Sequence, residues 1–196
     1  MDYMKAYRSS ILRFASDREP RHAAIFEEDG LLVVAPDAAG VQVVKAVGSY
    51  QSLIGRFPDL AVENLPGRII APGFVDMHLH YPQTDIIGSP APGLLPWLEN
   101  YTFPEEKRFS SAEYSAQAAT FFIAELLRNG VTTALTFATS HPESVNALFS
   151  QARANGMRLI TGKCLQDRHS PDGVRDDAEQ SLIDTETLIQ QWHGKG

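Results

Sequence analysis

Cysteine is nearly absent from this chain. Cys164 stands alone, and one thiol can neither close a disulfide nor build a cysteine-based zinc site. A reducing compartment, the cytoplasm, is the expectation. Long apolar runs are missing too. No stretch reaches the roughly 18 residues needed to span a bilayer, and Met1 to Arg13 carries scattered charges where a secretory leader would carry an apolar core. No membrane partner is therefore expected. Basic clusters are equally scarce: Lys and Arg number 17 against 24 acids, for a net charge of −7, and the densest basic stretch is Glu106-Lys107-Arg108. Phosphate-backbone binding rests on clustered Lys and Arg, which argues against nucleic acid as a partner.

Apolar residues are plentiful. They make up 43% of 196 residues, enough for a sizeable core, and their spacing changes along the chain. Residues 1–68 alternate short apolar runs (Ser9 to Phe14, Ala23 to Glu27, Leu31 to Ala35, Val41 to Val47) with breaks at Asp29-Gly30, Pro36-Asp37 and Ala39-Gly40. Asp-Gly before Leu31-Leu32-Val33-Val34 is a hairpin signal, because glycine tolerates the positive φ of a tight turn. The expectation is a mostly β region with a short helical piece around Tyr50 to Phe57.

From residue 69 the pattern becomes strand then helix, three times over. Strands are expected at Ile69 to His80, Val131 to Thr139 and Met157 to Cys164. Ser110-Ser111-Ala112-Glu113 has capping-box spacing. The helix after it places Ala119, Phe122, Ile123 and Leu126 on one stripe, and Asn129-Gly130 stops it. Pro142 to Asn155 and about Asp176 to Trp192 are the other two helices. Alternating strands and helices imply parallel β/α units. A closed (β/α)₈ barrel needs about 250 residues and eight such units. The reading is therefore an α/β chain, either part of a (β/α)₈ TIM barrel or a small complete α/β domain.

The chemistry centres on Ala71-Pro72-Gly73-Phe74-Val75-Asp76-Met77-His78-Leu79-His80. Side chains on a strand alternate faces, so Asp76, His78 and His80 are expected on one face and Val75, Met77 and Leu79 on the other, packed against helices. Two imidazoles at i and i+2 can bring their nitrogens to one metal. A bare His-x-His also arises by chance on exposed strands; here it follows Pro-Gly-Phe-Val-Asp and opens the β/α series.

Pro72 to His80 resembles the first-strand signature of the amidohydrolase superfamily. His80-Tyr81-Pro82-Gln83-Thr84 and Leu95-Pro96-Trp97-Leu98-Glu99-Asn100-Tyr101-Thr102-Phe103-Pro104-Glu105 are similar to the block that distinguishes guanine deaminases. Leu126 to Ala134 and Gly162 to Arg168 continue the likeness. The resemblance implies that residues 1–68 are the N-terminal part of a small β-sandwich domain and 69–196 the first three β/α units of an incomplete barrel.

It further implies Zn²⁺ as cofactor, held by His78 and His80, and guanine as substrate, contacted by Gln83. Its reaction would be hydrolytic deamination to xanthine and ammonia. Trp97 and Phe103 are candidate pocket walls or packing residues. Asp76 is a candidate to orient a ligand histidine, since metal-bound imidazoles usually donate their second N–H to an acceptor. His141 is a candidate for a supporting role at the barrel mouth or for capping the helix at Pro142, with capping favoured. Cys164 reads as a small core residue.

The family's further histidines, metal-binding Asp and Glu proton shuttle have no match in these 196 residues, so no catalytic residue is assigned and the chain alone is expected to be inactive. The full-length form is expected to be a homo-oligomer, a dimer. Three other readings remain: a triazine or 8-oxoguanine aminohydrolase, a non-catalytic truncated fragment, and the unrelated zinc deaminase fold. That last fold needs His-x-Glu with Pro-Cys-x-x-Cys. His141-Pro142-Glu143 supplies its first piece, but a single cysteine cannot supply the second.

Overall fold

The computed structural model describes residues 4–15 and 19–195. They divide between two compact units, one running to Pro72 and one from Gly73. In the first unit, β1 (Lys5–Phe14), β2 (Ala24–Pro36), β3 (Gln42–Ser49) and β4 (Val62–Ile70) form one sheet in the order β3-β2-β1-β4. β1 and β2 pair antiparallel, as do β2 and β3, while β4 joins β1 in parallel. Ala6, Leu31, Val33 and Ala46 are buried on one face. The short helix α1 (Tyr50–Leu53) and a 3₁₀ turn over Ile54–Arg56 cover them through Tyr50, Leu53 and Ile54.

Asp29-Gly30 is not a turn. β2 continues through it, with a bulge where its pairing passes from Gly30 opposite Ser9 to Glu27 opposite Ile11, and the two apolar runs read as separate strands are one. Asp29 instead takes a paired contact from Arg8, at 2.6 and 2.8 Å. A Cβ on Gly30 would meet the Ile11 side chain at 2.6 Å, so glycine is needed here for close approach. The reversal lies further on, where Asp37 Oδ1 accepts from the amides of Ala39 and Val41 and turns β2 into β3.

In the second unit, β5 (Phe74–His80), β6 (Val131–Phe137) and β7 (Arg158–Ile160) form a parallel sheet in that order. Two short helices, α2 (Leu94–Trp97) and α3 (Phe103–Arg108), follow β5, and α4 (Ala112–Arg128) leads into β6. α5 (Pro142–Ala154) links β6 to β7, and α6 (Ala178–Trp192) follows. The core joins Ala119, Phe122 and Ile123 of α4, Ala134 of β6, and Val145, Leu148 and Ala152 of α5. These are the stripes that helical spacing predicts. The three strands form an open arc, with no closed barrel among the described residues.

Several boundaries differ from expectation for local reasons. The stretch from Ile69 to His80 is two strands, broken at Ala71–Gly73. Pro72 has no N–H to give a ladder, and any side chain at Gly73 would collide with Thr132. α4 is capped by Ser111, whose hydroxyl accepts from the Tyr114 amide at 3.3 Å. Ser110, one residue earlier, closes α3 by donating to the Lys107 carbonyl. β7 is shorter than expected because beyond Ile160 the pairing becomes irregular, with the Cys164 amide still donating to the Thr139 carbonyl at 3.0 Å. The Thr161 hydroxyl donates to the Thr136 carbonyl at 2.8 Å. Leu79 packs on the helical core, but Val75 and Met77 are exposed, lying toward the start of an edge strand.

Candidate functional site

β5 and β6 run in parallel register with His80 opposite Phe137. A register shift between Asp76 and Leu79 interrupts simple alternation. Asp76 Oδ1 there accepts the backbone N–H of His78 at 3.1 Å, so its bond goes to the main chain rather than to an imidazole. His78 lies within the shift and His80 just past it, and the two come together, with ring centroids 5.3 Å apart and planes at 75°. Two imidazoles sharing one tetrahedral zinc, with Zn–N of about 2.0–2.1 Å, put their centroids about 5 Å apart. The pair fits that requirement. Burial, with His78 adding its charge, pushes the pKa of His80 below its usual 6.5 and keeps its nitrogen lone pair free at neutral pH. Among the described residues no group of three or more His, Cys, Asp and Glu side chains could hold a metal.

Gln83 lies on the 3₁₀ turn Tyr81–Ile86 directly after the histidines. That turn is anchored on both sides. Tyr81 is fully buried, donates its hydroxyl to the Ser115 carbonyl at 2.7 Å, and meets Phe109 edge-on. Thr84 donates back to the Tyr81 carbonyl, and Tyr114 reaches Asp85 at 3.0 Å while also bonding Glu105. Gln83 is half-buried between these anchors. Trp97 closes α2 and Phe103 opens α3, both partly buried. Neither ring stacks or meets edge-on with the histidines among the described residues. The aromatic that does is Phe137, stacked on His80 at 4.7 Å and 16° and edge-on to His78 at 5.7 Å.

His141 occupies the N-cap position of α5, but its side chain makes no capping bond. Ser144 does the local closure, accepting from the Thr139 amide and donating to the His141 carbonyl. The imidazole bonds the Gly173 backbone, and its Nε2 is buried without a partner. Burial lowers its pKa more than the nearby Glu143 raises it.

Beside it lies a polar cluster that sequence reading did not single out. Lys163, its side chain 1% exposed, donates to Asp176 at 2.6 Å and to Ser181 at 2.9 Å. Asp176 also accepts from the Gln166 amide. Gln166 hydrogen-bonds Glu106, a carboxyl that burial raises to about 7. Burial also pushes the Cys164 thiol up to about 11, with the Glu106 charge adding to it, and the thiol donates to the Ala138 carbonyl. This cluster binds the segment after β7 to α3 and α6.

Comparison with known proteins places the chain among relatives. The chain is 41% identical to a guanine deaminase of Escherichia coli over 98% of its own length and 44% of the relative's. The crystal structure of guanine deaminase from Bradyrhizobium japonicum superposes with a TM-score of 0.89 at 34% identity, covering 99% of this chain and 42% of that one. The guanine deaminase of C. acetobutylicum, solved with bound guanine in its active site, gives 0.84 at 29% identity, over 98% of this chain and 44% of that one. The chain thus spans less than half the length of these relatives. Residues 69–196 match the amidohydrolase family, and with the parallel β/α order of the second unit beside that match, the chain belongs to that family.

Proposed function

We propose that this chain supplies the first part of the site of a zinc-dependent aminohydrolase that converts guanine and water to xanthine and ammonia. The observation that carries the reading is the convergence of His78 and His80 at a separation suited to one ion, with Gln83 on the anchored turn that follows. His78 and His80 would hold the metal as neutral imidazoles. When bound, zinc lowers the pKa of water toward neutrality and so makes a hydrolytic nucleophile available. Gln83 would bind the purine edge, its carboxamide offering one acceptor and two donors. Tyr81 and the Tyr114–Asp85 contact hold in place the turn that carries Gln83. Trp97 and Phe103 would wall the pocket, and Asp76 would act on the ligand strand through the His78 amide.

On this reading residues 1–68 are the N-terminal part of a β-sandwich domain and 69–196 the first three β/α units of a barrel. The full-length form would be a cytoplasmic homodimer. No described helix is long and apolar enough to cross a membrane.

The test is a chimera in which residues 1–196 replace the matching part of the E. coli relative. It should bind zinc and release xanthine from guanine, and His78→Ala should abolish both. A folded, zinc-loaded chimera that ignores guanine and hydrolyses another purine or a triazine would refute the substrate assignment.

A further inference from the structure

We infer that Phe137 is a positioning residue for the metal site, holding the two imidazoles in the mutual orientation that one ion requires. The inference rests on the reading of His78 and His80 as ligands and extends it to a residue on the neighbouring strand. The three rings form a closed set. Phe137 lies over the His80 ring at 4.7 Å and 16°, meets His78 edge-on at 5.7 Å and 73°, and the histidines meet each other at 5.3 Å. Both contacts fall in the range where aromatic rings attract beyond simple burial. The parallel register that sets Phe137 opposite His80 makes the arrangement a property of the backbone.

Core packing does not account for this ring. Phe137 is 41% exposed and lies outside the buried cluster of its unit. A histidine on a strand turns freely about a broad χ2, and a pair must lose that freedom before both can face one ion. A carboxylate or carbonyl often supplies the restraint by accepting the second ring N–H. Here the neighbouring carboxylate, Asp76, is bonded to a backbone amide. The stack on Phe137 supplies the restraint in its place.

The experiment is a Zn²⁺ titration of the 196-residue chain, followed by residue-resolved NMR of the histidine rings. In the wild type, the His78 and His80 signals should move together, and His80→Ala should remove the response. Phe137→Ala should weaken Zn²⁺ binding at this pair on the order of tenfold, the scale typical of partners that orient metal ligands. Phe137→Leu, similar in bulk but without the ring, should weaken it comparably and abolish the ring-current shift of the His80 protons. Phe137→Tyr should restore both. Wild-type affinity in folded Phe137→Leu would overturn the positioning role while leaving the ligands standing. No Zn²⁺ response at His78 and His80 in the wild type would overturn the metal reading and this inference with it.

Discussion

Lys163 Nζ lies 2.6 Å from Asp176 Oδ1, with the Lys163 side chain 1% and the Asp176 side chain 12% exposed, so the loop after β7 is tied to the start of α6 by a nearly dry ion pair. Removing one partner of such a pair leaves a charge with no water to solvate it, which typically costs about 3–5 kcal/mol. Lys163→Met should therefore destabilise the chain by about that amount in urea unfolding. Adding Asp176→Leu should recover much of the loss, because the stranded charge goes with it. Equal stability of Lys163→Met and wild type would show the pair to be dispensable.

Glu106 makes stability depend on pH. Its carboxyl is raised from 4.5 to about 7, chiefly by burial, with the Gln166 hydrogen bond opposing the shift. The folded chain thus holds this proton more tightly than the unfolded chain does. The contribution is fully present below about pH 4.5 and is lost as pH rises through about 7. Thermal melts should show Glu106→Gln gaining on wild type by on the order of 1–3 kcal/mol between pH 5 and pH 8. Parallel pH profiles for the two proteins would remove Glu106 as the source.

Gln83 should govern purine affinity and leave metal binding alone. A hydrogen-bonding group removed from a buried recognition site typically costs about 1–3 kcal/mol. In the chimera described above, Gln83→Ala should raise KM or lower kcat/KM for guanine by roughly 5- to 150-fold, with the zinc content unchanged. Loss of zinc would mean that Gln83 acts on the ligand strand instead, and unchanged kinetics would make it a loop residue.

Much of the site was legible because its signals are local. The i, i+2 spacing brings His78 and His80 together within three residues even across the register shift, and helical spacing predicts the buried stripes of α4 and α5. The misread features have longer-range causes. Asp29-Gly30 resembles a turn until Ile11, on another strand, packs over the glycine. His141 stands where a cap belongs, but its ring bonds the Gly173 backbone and α5 has no side-chain cap; Ser144 ties the His141 carbonyl to the Thr139 amide instead. Phe137, Lys163 and Glu106 matter through partners on other elements, and no periodicity within one segment reports a register between two strands or a loop folded onto a helix. The stretches that resemble guanine deaminases take in Lys163 but stop short of Glu106 and Phe137, and they do not say which side chains meet.

The 196-residue chain by itself should not deaminate guanine. A hydrolytic zinc site needs at least three protein ligands and an open position for water. Among the described residues His78 and His80 have no third His, Cys, Asp or Glu placed to complete a metal-binding group. Two neutral imidazoles hold a metal weakly and leave it with several waters. Two described carboxylates can be weighed as proton carriers. Glu106 has a suitable pKa, but its carboxyl is engaged by Gln166 in the loop after β7. Asp76 is the carboxylate nearest in sequence to the pair, and it is bonded to a main-chain amide. Purified chain supplied with zinc and guanine, its mass checked at 21.6 kDa, should release neither xanthine nor ammonia above the blank. Turnover at an enzyme-like rate, above about 1 s⁻¹, abolished by His78→Ala, would mean that two strand histidines recruit their missing partners from another copy of the chain. Sedimentation of the active species would then have to show an assembly that brings two such pairs together.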